Sequence, residues 1–291
     1  MKLYITQFNR NNVIGGGFTF NQNLVKALKM VNSDISFVNR VEDADIYFIS
    51  GATQTEKGEV DAAIKNKIPI VFRVNGIPKP SRNRRANIPK RLKDYANKAD
   101  VIVYQSQWSN EYSGYYLGEN NDGMVIYNGV DTDLFNPNGD KIAKDRSKTI
   151  YLCVQHSSNS CKRFEEVKHI FSRLWQDNKN IELWLVGRFN GQEYNYNFID
   201  GEKVREFGIV NKSEIAKIMR TADVLIYPSY ADSCPNVVLE AKASGLKIIG
   251  TNKEGGTREV EILKDIGLER MGNEYNSLFK LINTRSVWGK S

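Results

Sequence analysis

The chain has 291 residues, the length of about two domains, and a hydrophobic content of 41% against 26% charged residues, which excludes a disordered chain. Lys and Arg number 41 and Asp and Glu 34, a net charge of +7; that modest bias fits an anionic substrate, a membrane surface or a nucleic acid without choosing among them. No apolar run approaches the roughly 18 residues that a membrane span requires. The three cysteines, Cys153, Cys161 and Cys234, are odd in number and match no zinc spacing, and His156 and His169 are the only histidines. A transition-metal centre and a disulfide framework are therefore not expected, and a reduced cytosolic compartment fits best. The N-terminal run Met1–Gln7 enters a strand-like segment directly and reads as lacking an export leader.

Short runs rich in Val, Ile and Tyr alternate with helix-length polar-patterned segments, the rhythm of repeated βα units around a parallel sheet. The first unit is a strand over Lys2–Phe8, a loop holding Gly15, Gly16 and Gly17, and a helix from about Thr19 to Met30. Strands follow at Ile35–Asn39, Ile46–Ser50, Ile68–Val74, Val101–Gln105 and Met124–Tyr127, with helices near 56–66, 88–98 and 108–117. Asn136-Pro137-Asn138-Gly139-Asp140 and the polar run Lys141–Lys148 break regular structure and read as an interdomain linker. A second βα series then gives strands at Thr149–Gln155, Ile181–Val186, Lys203–Phe207, Val224–Tyr227 and Lys247–Gly250, and helices near 163–177, 213–220 and 236–244. The expected domains are 1–140 and 141–273. A last helix covers about 274–285, and the terminal stretch 274–291 is a candidate to pack back on the first domain.

The stretch 223–259 is the richest in chemistry. A buried strand ends at Pro228, a polar loop covers 229–235, and a helix begins near Asn236. Such a loop lies at the carboxyl end of a parallel sheet, where open α/β folds bind ligands. The N–H groups at the helix start favour an anion such as a diphosphate. Glu240 stands one turn into the helix and Asp232 eight residues earlier in the loop, so two carboxylates can face one ligand. In the bland alternative Asp232 caps the helix and Glu240 is solvated; Pro235 argues for a shaped loop, because it fixes φ where the helix begins.

These residues resemble a known family. An acidic residue, seven residues, then Glu-Ala, a small-residue helix, Gly and an apolar strand are similar to the E-x7-E region of retaining GT-B glycosyltransferases. The family is glycosyltransferase family 4, the glycosyl transferases group 1. Tyr127-Asn128-Gly129-Val130-Asp131 with Phe135 and Pro137 resembles the end of that family's first domain, and Gly15-Gly16-Gly17 its first glycine loop. Leu185-Val186-Gly187-Arg188, and Gly208-Ile209-Val210 followed by Ser213-Glu214-Ile215, resemble its nucleotide pocket. The matches come in family order over nearly the whole chain.

The resemblance implies an α/β GT-B fold: two Rossmann-like domains with parallel sheets facing across a cleft, acceptor site in the first and nucleotide-sugar site in the second. It implies transfer of a hexose from a UDP-sugar or GDP-sugar to a hydroxyl of a glycan or lipid-linked glycan, with retention, no further cofactor and no metal. Glu240 would bind the ribose hydroxyls, and Asp232, in place of the commoner Glu, would face the donor sugar. Ser233, Cys234, Pro235, Asn236 and Val237 would contact sugar and diphosphate, and Lys162 the phosphates. Arg163 or Arg188 would supply a second positive charge where the family's usual Arg is replaced by His156-Ser157-Ser158-Asn159-Ser160. Gly16, Gly17, Gly187 and Val210 complete the donor set. A cation near the leaving diphosphate stabilises charge that grows in the transition state, which supports Lys162 independently; the alternative is a solvated lysine.

Asn75 occupies the place of a His found in many relatives, and Asn cannot act as a base at neutral pH. Arg73 beside it is an acceptor contact or a buried ion pair. Arg82, Arg84 and Arg85 open a basic segment, 82–93, suited to an anionic acceptor, an anionic membrane surface contacted peripherally by a cytoplasmic protein, or, as second choice, a nucleic acid. The rivals are a DNA-modifying glycosyltransferase, a catalytically silent nucleotide-sugar-binding module and a two-domain epimerase. A dinucleotide dehydrogenase is poorly supported, because the glycine loop lacks a full G-x-G-x-x-G. Tyr112, Tyr115 and Tyr116 read as helix packing in preference to a sugar platform.

Overall fold

A computed structural model describes residues 1–6, 16–75, 88–118, 123–155, 160–189 and 203–288. The chain divides into two units, Met1–Gly129 with Asp265–Ser291, and Val130–Lys264. The boundaries expected at 140 and 273 thus fall inside the second unit and inside the last helix. Arg82, Arg84, Arg85, Gly15, the 156–159 stretch and the 194–198 aromatic run lie outside the described residues.

The first unit holds β1 (Lys2–Ile5), α1 (Gly16–Met30), β2 (Ser36–Phe37), β3 (Ile46–Ile49), α2 (Lys57–Lys65), β4 (Ile70–Val74), α3 (Ile88–Lys98), β5 (Val101–Tyr104), α4 (Gln107–Leu117) and β6 (Gly123–Val125). The strands form one parallel sheet in the order β2-β1-β3-β4-β5-β6, with Leu3 opposite Ile46, Phe48 opposite Val71 and Val71 opposite Val101. β3 and β4 are buried along their whole length, because helices cover both faces of a parallel sheet and leave no strand position for water. One face packs Leu3, Phe48, Val71 and Val103 against Phe20, Leu24 and Leu28 of α1. The other packs Tyr47, Ile49, Phe72 and Tyr104 with Val60, Leu92 and Tyr95.

The second unit holds β7 (Thr149–Gln155), α5 (Phe164–Asp177), β8 (Ile181–Gly187), β9 (Val204–Gly208), α6 (Lys212–Thr221), β10 (Val224–Ile226), α7 (Asn236–Ala243), β11 (Lys247–Ile249) and α8 (Thr257–Ile262). Its strands run parallel in the order β11-β10-β7-β8-β9. The segment 136–148, expected as a free linker, is tied into this unit. Arg220 donates to the carbonyls of Leu134 (2.5 Å), Asn136 (3.0 Å) and Asp140 (3.2 Å), and Lys144 pairs with Asp223 at 2.8 Å.

The last helix, α9 (Leu268–Trp288), opens at Leu268 and not at 274. Leu268, Met271, Tyr275, Leu278, Phe279 and Ile282 recur at helical spacing and join the core of the first unit beside α1. Gly272 stands at the closest approach: a Cβ there would lie 2.5 Å from the carbonyl oxygen of Ala27. The missing Cβ of Gly272 is thus what lets α9 lie against α1. Phe48 meets Tyr275 and Phe279 edge to face at 5.5 and 5.6 Å. Phe279→Ala is expected to destabilise the protein by about 3–5 kcal/mol, the cost of removing a buried aromatic. Urea unfolding checks this, and an unchanged midpoint would refute the docking of α9.

Candidate functional site

Backbone constraints set the loop between β10 and α7. The Tyr227 N–H donates to Ile249 O (2.9 Å), and the Tyr230 N–H donates to Cys161 O (2.7 Å), which ties the loop to the turn after β7. Ala231 takes a left-handed φ of 53°, and Asp232 forms an isolated parallel bridge with Gly255, whose φ is +119°. A Cβ on Gly255 would stand 2.8 Å from the Asp232 carbonyl oxygen, so only glycine admits this approach. Helix α7 then starts with Pro235 at its N-cap, no side-chain cap and no acidic residue in its first turn. The capping role considered for Asp232 is therefore not the one it plays.

Asp232 faces Lys162 instead. Lys162 Nζ lies 3.0 Å from Asp232 Oδ2, and the Tyr227 hydroxyl donates to the same oxygen at 2.9 Å. Lys162 ends a 3-10 turn, Ser160–Lys162, that follows β7, and its side chain is 32% exposed. Burial opposes its charge, but the Tyr227 oxygen and the Asp232 carboxylate outweigh burial and hold the ammonium well above the ordinary lysine range. Burial, then the Asp232 charge, push the Tyr227 phenol up, so it stays a hydrogen-bond donor. Burial also pushes the nearby Cys153 thiol up to about 12, with Lys162 pulling the other way, so it is not a nucleophile at neutral pH.

Glu240 is 3% exposed in α7, which excludes the solvated alternative. Its Oε1 pairs closely with Lys212 Nζ from the first turn of α6. Among the described residues, its buried Oε2 makes no hydrogen bond, and neither does the buried Ser233 Oγ in the preceding loop. Burial raises the Glu240 carboxyl above its ordinary range, and Lys212 opposes that rise. A buried carboxylate oxygen without a partner is a strong hydrogen-bond acceptor awaiting a donor.

The other expected donor residues surround the strand ends of the same unit. Gly187 closes β8 with φ +120°, and a Cβ there would overlap the Gln155 carbonyl oxygen at 1.9 Å. Arg188 follows it, exposed, with its N–H on Gln155 O (2.8 Å). Arg163 turns away to Glu166 at 3.4 Å. Val210 is half-buried beside Asn211, the N-cap of α6; Cys234 and Pro235 are buried, and Asn236 and Val237 half-buried. Lys212 and Tyr227 escaped the sequence reading; the aromatic at the end of β10 was a usable signal for Tyr227, whereas nothing in the spacing ties position 212 to 240.

The remaining expected residues belong to the first unit. Gly16 opens α1, and a Cβ on Gly17 would meet Gln54 Nε2 at 2.7 Å. Asn75 follows β4 and packs on Gly51, where a Cβ would lie 2.0 Å from its Nδ2. Arg73 is 2% exposed and does not present its guanidinium to solvent. It donates to Ser50 O (3.2 Å), Gln105 Oε1 (2.5 Å) and Asn128 Oδ1 (2.8 Å) and stacks 3.5 Å from the Phe20 ring centroid. On α4, Trp108 and Tyr112 stack at 4.9 Å, with Tyr115 exposed. Among the described residues no group of three or more His, Cys, Asp or Glu side chains is placed to hold a metal ion, and no helix is long and apolar enough to cross a membrane.

Two units, each an all-parallel sheet whose strands alternate with helices, define a GT-B α/β fold. Solved structures agree on the fold. A sucrose-phosphate synthase from Thermosynechococcus elongatus covers 99% of this chain and 90% of its own, at 14% identity and a TM-score of 0.70. Anabaena Alr3699/HepE in complex with UDP covers 98% and 93%, at 14% identity and a TM-score of 0.67. The putative glycosyltransferase EpsF of Bacillus subtilis (strain 168) is 28% identical over 145 residues, 43% of this chain and 35% of that protein. This chain therefore matches only about a third of that relative's length. Residues 136–283, just over half of the chain, match the family described as glycosyl transferases group 1, and the chain belongs to that family.

Gly255→Ala is expected to cost about 1–3 kcal/mol through strain at a positive φ. It should also loosen Asp232 from Lys162. Urea unfolding measures the first effect, and wild-type stability would refute the close approach that fixes Asp232.

Proposed function

We propose that the protein is a retaining glycosyltransferase that moves a hexose from a nucleoside-diphosphate sugar to an acceptor hydroxyl on a glycan or lipid-linked glycan. The observation that carries this reading is Glu240 Oε2, a buried acceptor without a protein partner, eight residues after a carboxylate held by Lys162. Vicinal ribose hydroxyls match that acceptor, and the diphosphate matches Lys162 and the start of α7. UDP is the leading donor nucleotide, because HepE binds it on the same fold.

In this reading Asp232 accepts a hydrogen bond from the donor sugar. The bond between the anomeric carbon and the diphosphate oxygen breaks, with the electron pair leaving on the phosphate. Lys162 and the N–H groups of α7 stabilise that charge more in the transition state than in the ground state, which removes the need for a metal. The acceptor oxygen attacks the same face, and its proton passes to the leaving phosphate. No side-chain base is required, in keeping with Asn75 at the end of β4. The basic residues Lys90, Arg91, Lys93 and Lys98 of α3 suit an anionic acceptor or an anionic membrane surface, and so a peripheral cytoplasmic enzyme.

A thermal-shift panel with UDP, GDP, ADP and TDP tests the nucleotide. A ligand at about 100 times its dissociation constant adds roughly 2.7 kcal/mol to the folded state. Stabilisation by UDP is expected and should vanish in Glu240→Ala; a flat panel would overturn the nucleotide-sugar reading. Lys162→Met should lower turnover about a hundredfold or more. The anomeric proton of the product made from an α-linked UDP-sugar then decides the stereochemistry: an α product is expected, and a β product would overturn retention.

A further inference from the structure

Glu240 is a strong, acceptor-only partner for hydroxyls while it is ionised, and its surroundings work against that. The carboxylate is removed from water, and desolvation favours its neutral form. Protonated, it would offer a donor where the ligand brings donors of its own. On α6, Glu214 closes the capping box, Lys217 pairs with Asp140 at 3.1 Å and Arg220 donates to the carbonyls of Leu134, Asn136 and Asp140. On α7 itself, Lys242 donates to the carbonyls of Val260, Glu261 and Leu263 at 3.3, 2.6 and 2.6 Å. On α8, Glu261 is acted on by Arg258 and Lys242. Glu259 on α8 accepts the Leu263 N–H through its backbone, and Lys247 on β11 is exposed. In the preceding loop Asp232 is bound to Lys162 and Tyr227. Lys212 of α6 is the charged group that acts on Glu240.

Lys212 is itself well placed for this work. Asn211 caps α6 and forms a capping box with Glu214, which fixes the turn from which Lys212 projects. Its Nζ lies 5.6 Å from the ring centroid of the buried Phe135, an apolar wall on one side of the pair. Only Oε1 of Glu240 is taken by the lysine, and Oε2 is left over.

We propose that Lys212 is a positioning residue of the donor site: it holds the buried Glu240 carboxylate charged and oriented, so that Oε2 accepts hydrogen bonds from vicinal ligand hydroxyls. The ligand half of this inference rests on the nucleotide-sugar reading above; the Lys212–Glu240 coupling does not. Without Lys212, burial acts unopposed, the Glu240 carboxyl is pushed further up than in the wild type, and ligand affinity depends on pH more strongly than the wild type's does.

Two arms test this with wild type, Lys212→Met, Lys212→Arg, Glu240→Gln and the Lys212→Met/Glu240→Gln pair. The first arm is melting temperature without ligand. A carboxyl whose folded pKa is raised loses its stabilising contribution as pH rises through that pKa, so the Lys212→Met deficit should widen as pH rises above the ordinary carboxylate range. It should be pH-independent in the Glu240→Gln background, and Lys212→Arg should restore the wild-type profile. A deficit that is constant with pH in both backgrounds overturns the coupling. The second arm is calorimetric titration with UDP, read as the affinity ratio of variant to wild type, which cancels the ionisation of UDP itself. Lys212→Met should weaken UDP about tenfold or more near neutral pH, the scale of one charged hydrogen bond. That loss should shrink toward alkaline pH as Glu240 ionises. A loss equal at every pH makes Lys212 a mere attractor of the anion and overturns the positioning role. If the wild type binds neither UDP nor GDP, the donor reading fails, and the first arm alone decides the coupling.

Discussion

Taking the Glu240 carboxylate out of water is the constraint on which the second unit's site depends, because an ionised group inside apolar walls survives only with a partner of opposite charge. That requirement links α7, which carries the glutamate, to the first turn of α6, which carries Lys212. It in turn gives the capping box of Asn211 and Glu214 a role beyond helix stability: it sets where the lysine starts. Asp232 answers the same constraint differently. It is partly exposed, and it accepts from Lys162 and Tyr227 on a single oxygen. The two carboxylates therefore differ in chemistry. One is buried with an orphaned oxygen suited to neutral hydroxyls, and the other lies in a polar, half-open setting beside a cation.

Backbone conformation, more than side-chain choice, decides where these groups stand. Ala231 and Gly255 both lie at positive φ on either side of the bridge that holds Asp232. Gly187 does the same at the end of β8, where its missing Cβ lets the chain pass the Gln155 carbonyl. Strain and close approach concentrate at these turns, while β10, the strand that leads to Asp232, is buried along its whole length.

Much of this was legible in the sequence. β7 at Thr149–Gln155 and α3 at 88–98 follow directly from their periodicity, as does the helix start at Asn236 after Pro235. The spacing of Asp232 and Glu240 along loop and helix is visible because the two elements are adjacent in the chain. What stayed hidden depends on partners distant in sequence. Lys212 and Glu240 are 28 positions apart and meet only through the packing of α6 on α7. The 136–148 segment reads as a solvated linker because its Pro, Gly and charges are local signals, whereas Arg220, which ties it down, lies some 80 residues on. Helix α8 is six residues long and follows a Gly-Gly pair, too short and too broken for a periodic signal. The role of Gly272 was hidden because it depends on the Ala27 carbonyl more than 240 residues earlier.

Arg73 shows the same logic in the first unit. A cation within a buried strand invites the expectation of an ion pair or an anion site. Instead the guanidinium is shared among a carbonyl at the end of β3, a side chain after β5 and Asn128, with the face of Phe20 beside it. Arginine suits this because it offers several donors in one plane and holds its charge with neutral acceptors and a ring face around it. A lysine in its place has a single head group and cannot serve strand ends on both sides at once. By joining the ends of β3 and β5 to β4, Arg73 fixes the edge from which Gly51 and Asn75 project. The role this geometry gives Arg73 is structural: the buried cation ties together the strand ends beside Asn75.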